Sequence, residues 1–412
     1  MLTKIIAAPH IKAIIETLQK AGYEAYVVGG AIRDLMLERE PKDYDISTSA
    51  SPEEIREVFG RRRARIIGRR FRLVHLYNGK EIVEVSTFRR RPEANKPAKF
   101  NPRYGPAPEN MIFHDNEYGT AEEDAFRRDF TVNALFFDPV NGEVIDYTGQ
   151  GIDDIVNRKV RVIGDPALRF EEDPVRILRA LKLIGQYGFT MTDETETGVR
   201  DCIELITHAS KSRLTLELEK VLKNAYSSDI LSAFHEYGLL EHFLPFLDKY
   251  WETPAGIYAI QLLSERDRRL REGEYRDSIS LAMAALALPF IEEELGNGEK
   301  GGLWAHKSYT DSEIRNIVDN FFLPHHMIKR LDYSAQRTLM MQPWFVNTEN
   351  PKRVTGRKGY AHARELFMIQ NALVWKDETL EHKWPKRTSF EEVSFDKKKR
   401  RRQPRRRPKN QN

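Results

Sequence analysis

The feature that most constrains the fold is a change of pattern at Asp165-Pro166. From Tyr23 to about Thr148, short β-type runs alternate with short helical ones. Beyond it, leucine-rich helical spacing dominates to about Lys376, punctuated at Gly188, Pro245, Pro254 and Pro324. A chain of this kind builds a sheet-containing unit first and helical units afterwards, which is an α+β arrangement.

The first part is predicted in some detail. Ile11, Ile14, Ile15 and Leu18 recur at helical spacing, with Gly22 as the stop. Tyr26–Val28 reads as a strand that ends in Gly29-Gly30 and gives way to a helix over Ala31–Leu37. Asp43–Ser47 reads as a second strand. Ser51 and Pro52 mark a helix start, as N-cap and first-turn proline. Leu73–Tyr77 and Glu81–Phe88 form a predicted hairpin around Asn78-Gly79, and Thr131–Asp138 with Glu143–Tyr147 another around Asn141-Gly142. The proline-rich stretch from Arg89 to Tyr118 reads as a long loop.

The single cysteine, Cys202, excludes an intramolecular disulfide and a cysteine-based zinc cluster, and suits a reducing cytosol. The longest apolar run, Leu281 to Phe290, is too short to span a membrane and reads as a buried helix. No secretory leader is expected. Lys397–Lys409 holds ten Lys or Arg and no acid, leaving 66 − 10 = 56 cations against 62 anions elsewhere. Such a block reads as a disordered, nucleic-acid-binding tail.

Several short stretches carry chemistry-bearing residues. Gly29 and Gly30 would let backbone approach a phosphate, with Arg33 as its partner; the same turn also serves strand-to-helix packing. Asp43 and Asp45, two apart on a strand, share a face, either as a cation site such as Mg²⁺ or as a surface pair. Alternation in Ile82–Phe88 turns Val83 and Val85 inward and Glu84 outward. A third carboxylate on that face is what two-metal phosphoryl transfer requires. Arg127, Arg128, Asp129 and Asn133, read as a strand entrance, offer forks for phosphate and groups for a ribose hydroxyl, or else a solvated charge cluster. Asp173 before Pro174 reads as an N-cap, and Arg176 and Arg179 follow on nearly the same helical face. That face could present a donor and acceptor pattern to a base edge, or hold a surface ion pair.

Taken in order, Gly29-Gly30-x-x-Arg33-Asp34, Asp43-x-Asp45, Arg127-Arg128-Asp129-Phe130-Thr131-x-Asn133 and Glu172-Asp173-x-x-Arg176 resemble the class II tRNA nucleotidyltransferase and bacterial poly(A) polymerase family. Asp146 and Gly149 match its flexible turn between head and neck. The resemblance covers about 200 residues. It implies a nucleotidyltransferase head with a small mixed or antiparallel sheet (1–160), a helical neck (161–225), a helical RNA-binding body (226–384) and a disordered basic tail (385–412). Asp43 and Asp45 would bind Mg²⁺ or Mn²⁺, with Glu84 as third carboxylate and Asp129 in the active site. Gly29, Gly30, Arg33, Arg128 and Asn133 would contact phosphate or ribose, and Asp173, Arg176 and Arg179 would serve base selection.

Both branches of the family share that set. Ile66–His75, including Arg69 and Arg70, resembles the poly(A) polymerase signature, and Arg61–Arg72 holds seven arginines suited to an RNA path. The tail arginines Arg400, Arg401, Arg402, Arg405, Arg406 and Arg407 point the same way. The expected activity is addition of AMP from ATP to RNA 3′ ends, of mRNA and other RNAs, in the cytoplasm. The alternatives are CCA addition to tRNA and a non-catalytic RNA-binding protein, whose sign would be loss of a metal carboxylate.

Overall fold

The computed structural model describes residues 5–68, 72–79, 81–91, 117–295, 311–347 and 351–386. The expectations placed on Arg69, Arg70, most of the Arg89–Tyr118 loop and the arginine-rich tail lie outside these residues.

The first unit is built as its local signals dictate. Helix α1 (Pro9–Lys20) starts at a proline and buries Ile11, Ile14, Ile15 and Leu18. It is followed by Gly22 at φ 91°. Strand β1 (Ala25–Val28) runs into α2 (Gly30–Met36) through Gly29. Gly29 has φ 75° and ψ −139°, a conformation that only glycine adopts freely. After β2 (Asp45–Thr48), α3 (Pro52–Phe59) opens with a full capping box between Ser51 and Glu54. Then come β3 (Ala64–Ile67), β4 (Leu73–Asn78) and β5 (Glu81–Thr87). The β4–β5 hairpin closes at Asn78 and Glu81, with Gly79 at φ 65°.

Helix α4 (Ala121–Arg127) precedes β6 (Phe136–Asp138) and β7 (Glu143–Ile145). The strand expected to begin at Thr131 begins at Phe136 instead, because Thr131–Asn133 forms a 3-10 turn. Tertiary pairing overrides the β-branched pattern here. The Thr131 amide donates to the Arg161 carbonyl at 3.1 Å, and the Ile163 amide to the Asp129 carbonyl at 3.1 Å. For the same reason Arg127–Asn133 is no strand entrance but a helix end followed by a turn.

The sheet runs in the order β3-β4-β5-β2-β1-β6-β7. All its pairs are antiparallel except β2–β5, which is parallel. One face packs on α1 and α3; the other carries Asp45, Ser47, Glu84 and Ser86 at its centre.

Past α5 (Gly151–Val156) and β8 (Lys159–Val160) the chain is almost wholly helical, and β9 (Thr190–Met191) only pairs with β8. Helices α6 (Pro166–Glu172) and α7 (Val175–Tyr187) lead to α8 (Asp193–Cys202), α9 (Lys211–Lys223) and α10 (Ser227–Glu236). Helix α7 buries Ile177, Leu178, Ala180 and Leu181, which leaves Arg176, Arg179 and Lys182 on its other face. Beyond α10, the helix Ile279–Leu295 is buried on all sides from Ser280 to Glu292, so the expected buried helix is the centre of the body. A smaller separate core surrounds Phe345, Tyr360, Phe367 and Trp384. Among the described residues no helix is long and apolar enough to cross a membrane.

Helix α7 is fixed by a close approach. A Cβ on Gly185 would lie 2.5 Å from the Cα of Ile230 and 2.7 Å from the Asp229 carbonyl oxygen in α10. Gly185→Ala is expected to push the helices apart and destabilise the protein by about 1–3 kcal/mol, as overpacking does. Urea unfolding measures this, and an unchanged midpoint would contradict the close approach.

Candidate active site

The site forms on the polar face of the sheet. The parallel register of β2 and β5 sets Asp45 beside Glu84 and Ser47 beside Ser86, with the two serine hydroxyls 3.0 Å apart. Both pairs point to the same face because strand side chains alternate. Asp43 is not part of the strand; it lies in the extended lead-in to β2, and it still faces Asp45 electrostatically. On the next strand His75 pairs with Glu84, Nε2 to Oε1 at 3.4 Å.

Asp45 is exposed at the start of β2, whose next three residues are buried. Partial desolvation, then Glu84 and then Asp43 raise its carboxyl to about 6, while Arg128 acts in the opposite sense. Negative charge therefore exceeds positive at this spot, and the oxygen donors suit a hard divalent cation. Among the described residues no group of three or more His, Cys, Asp or Glu is already arranged to hold a metal.

A ring of arginines and amides closes the cleft. Arg128 donates to Asp124 at 2.7 Å and to Ser47 Oγ and the Asn133 carbonyl at 3.4 Å each. A Cβ on Gly29 would sit 3.4 Å from the same guanidinium, and one on Gly30 would sit 3.2 Å from that of Arg33. All three Arg33 guanidinium nitrogens are bonded to protein: to Asn133 Oδ1 at 2.7 Å, to Asp34 and to the Tyr187 hydroxyl at 2.7 Å. In this arrangement Arg33 first holds Asn133 in place. Asn133 Nδ2 donates in turn to Asp129 at 3.2 Å, and Asp129 accepts from Arg179 at 3.3 Å. Burial alone would raise the Asp129 carboxyl; Arg179 and the Asn133 amide overcome it and keep it below the usual range.

The third wall comes from the end of α6 and the start of α7. Glu172 is buried and receives Arg169 Nη1 at 2.8 Å, Arg176 Nη1 at 3.2 Å and the Arg91 fork. Arg169 also donates to the carbonyls of Arg127 and Arg128, at 2.6 and 2.5 Å, joining the end of α4 to this wall. Burial, with the neighbouring Arg176 adding, pulls Arg169 down to about 10, so it stays charged near neutrality.

Two expectations change in detail here. Asp173 does bond the Val175 amide at 3.2 Å, yet the residue flanking α7 is Pro174. Arg176 turns to Glu172 rather than to Asp173, whose carboxylate takes Arg213 of α9 at 2.6 Å. Asp173, Arg176 and Arg179 are therefore brought to one wall, each with a different partner. The expected flexible turn at Asp146 is closely bonded: Asp146 accepts from the Thr148, Gly149 and Ile152 amides at 3.1, 3.1 and 3.2 Å.

Sequence reasoning missed Asp124, Arg169, Tyr187 and Arg213. Asp124 had a readable signal, since Arg127 and Arg128 follow at helical spacing. Arg169 had a similar one, with Glu172 three residues on, whereas Tyr187 and Arg213 act through partners distant in sequence.

Comparison with known proteins agrees with this architecture. Residues 25–161 match the poly A polymerase head domain, and residues 188–250 match a probable RNA and SrmB-binding site of polymerase A. The chain is 34% identical to poly(A) polymerase I of Haemophilus influenzae, over 79% of this chain and 76% of that one. It is 35% identical to poly(A) polymerase I of Escherichia coli, over 72% of this chain but only 63% of that one. A CCA-adding enzyme of Geobacillus is 39% identical over 62% of this chain and 60% of its own length. Among solved structures, the Bacillus stearothermophilus CCA-adding enzyme in complex with CTP shares the fold over 92% of this chain and 82% of that one, at TM-score 0.62 and 23% identity. Together with the mixed sheet and helical body, these define a nucleotidyltransferase. The chain belongs to the family of poly(A) polymerases and CCA-adding tRNA nucleotidyltransferases.

The raised Asp45 carboxyl yields a prediction. A folded-state pKa above the unfolded value favours the native state at low pH and disfavours it as pH rises from about 4 towards 6. Without divalent cation at pH 7.5, Asp45→Asn should therefore raise thermal stability, by no more than about 1 kcal/mol after solvent screening. Millimolar Mg²⁺ should stabilise the parent and not the variant. A variant less stable than the parent in EDTA would contradict the charge crowding.

Proposed function

We propose that the protein is a template-independent polynucleotide adenylyltransferase that extends RNA 3′ ends with AMP from ATP. The observation that carries this reading is the register that sets Asp45 beside Glu84, with Arg128 across from them. In the reaction the 3′ oxygen of the RNA bonds to the α-phosphorus of ATP, the bond to the β-phosphate oxygen breaks, and pyrophosphate leaves. A divalent cation, Mg²⁺ or Mn²⁺, held by Asp43 and Asp45, supplies charge neutralisation and activation of the hydroxyl. Glu84 completes the acidic side of the cleft.

The other residues take roles that their positions support. Arg128, behind the Gly29-Gly30 turn, meets triphosphate oxygens. Asp129 and Asn133, held by Arg179 and Arg33, hold the ribose. Asp173 and Arg176 present acceptor and donor groups to the adenine edge, and Arg213 and Glu172 fix their orientation. Poly(A) addition is favoured over CCA addition because the relatives named poly(A) polymerase I align over the larger share of this chain, and because the arginine-rich tail suits varied RNAs. The CCA-adding alternative draws on the Geobacillus relative. Messenger and other RNAs in the cytoplasm are the proposed setting.

An extension assay tests the reading. With Mg²⁺ and an unstructured RNA, ATP alone should give long ladders and CTP alone none. Asp43→Ala and Asp45→Ala should abolish addition while RNA affinity remains. Addition confined to three nucleotides on a tRNA lacking its CCA end would overturn the poly(A) reading. Measurable addition by either variant would overturn the carboxylate assignment.

A further inference from the structure

The lobe around the small second core carries a surface unlike the rest of the body. Residues 329–358 hold seven Lys or Arg against two Asp or Glu, whereas everything outside Lys397–Lys409 together holds 56 against 62. The helix Lys329–Met340 buries Ala335, Gln336, Thr338 and Leu339. Its opposite face presents Arg330, Tyr333 and Arg337, spaced so that they fall on one side. Arg330 and Arg337 are seven residues apart, about 10 Å along the helix axis. Tyr333 is 51% exposed, and the Arg315 guanidinium lies 5.7 Å from its ring.

The surface continues without a break onto the next segment. A Cβ on Gly359 would lie 2.8 Å from Cδ of Arg337, so the Arg337 stem rests on that glycine, beside exposed Arg357 and Lys358. Arg357 lies over the Trp344 ring at 4.1 Å and donates to the Arg353 carbonyl at 3.3 Å. Among the described residues, Arg330, Arg337, Arg353, Arg357 and Lys358 make no ion pair with an acid. The one acid of the helix, Asp332, is half-buried and faces Asp319. The Tyr360 hydroxyl donates to the Pro385 carbonyl at 3.0 Å, and the basic run Lys397–Lys409 follows in sequence.

We propose that the surface from Arg330 through Tyr333 and Arg337 to Arg353, Arg357 and Lys358 docks single-stranded RNA upstream of the 3′ end being extended. Cations without acid partners are what a phosphodiester backbone neutralises, and an exposed aromatic between them offers a stacking platform that a duplex would leave unused. An acidic protein would need the cations but not the ring. The proposal rests on the reading that RNA is the substrate, and it specifies a footprint on the body separate from the catalytic cleft.

The test uses the full chain and oligoadenylates of increasing length, with affinity measured against salt. In Arg337→Gln/Arg357→Gln/Lys358→Gln, part of the affinity that the parent gains with RNA length disappears, and the slope of log K against log salt flattens by about 2, at ~0.7 for each phosphate that is no longer neutralised. Tyr333→Ala lowers long-RNA affinity several-fold with the slope unchanged. These exposed substitutions are accompanied by thermal unfolding to show that the fold is intact. A length dependence and salt slope equal to the parent's would overturn the proposal, as would an equal loss on the shortest and longest RNAs. If the parent binds RNA in this way but adds no AMP, the reading of the cleft fails while the docking surface stands.

Discussion

The arrangement depends on one buried interaction, the ion pair of Arg169 and Glu172 at the junction of the sheet unit and the helices. Their side chains are each 3% exposed, so losing Glu172 would leave a buried guanidinium without its counter-charge. From this pair the structure branches. Arg169 holds the carbonyls of Arg127 and Arg128, which fixes the end of α4 and with it Arg128 and Asp129. Glu172 holds Arg176 at the start of α7. The proposed phosphate side of the cleft and its proposed base-reading side are thereby held in one frame.

A second set of interactions ties the same two parts together from the other end of α7. Tyr187 accepts from Arg33, donates to Asp34 at 2.8 Å, and stacks near the guanidinium of Arg39 at 4.7 Å. Helix α7 is thus pinned at both ends to the sheet unit and along its length to α10 at Gly185. A rigid helix whose exposed face carries Arg176 and Arg179 gives those side chains little freedom, which suits a proposed site that must discriminate bases without a template. The acidic cluster at Asp45 and Glu84 is built differently. It stays open and under-neutralised, with Glu84 and Asp43 together raising the Asp45 carboxyl.

What could be read from the chain was local. The Ser51-Pro52 start, the Asn78-Gly79 turn, the Gly29-Gly30 turn and the inward-outward alternation around Glu84 are set by neighbours in sequence, and the structure places each as expected. The α+β division was legible for the same reason. The misread strand at Thr131 shows the limit: its β-branched residues are bent into a 3-10 turn by pairing with Arg161 and by the Thr131 hydroxyl bond to Asp154 at 2.7 Å. Partnerships such as Asp173 with Arg213, forty residues apart, or Arg33 with Tyr187, 154 apart, leave no trace in local spacing. The residues were visible, but their partners depended on how the helices dock.

The central claim is that the Arg169–Glu172 pair holds the proposed base-reading wall and the proposed phosphate side in one frame. Its most direct test is equilibrium binding of ATP, CTP and inorganic tripolyphosphate to the parent and to Glu172→Gln, at a temperature where both are folded. The variant should bind tripolyphosphate more weakly than the parent and also lose preference for ATP over CTP. Tripolyphosphate affinity equal to the parent's, or an ATP preference left intact, would contradict it.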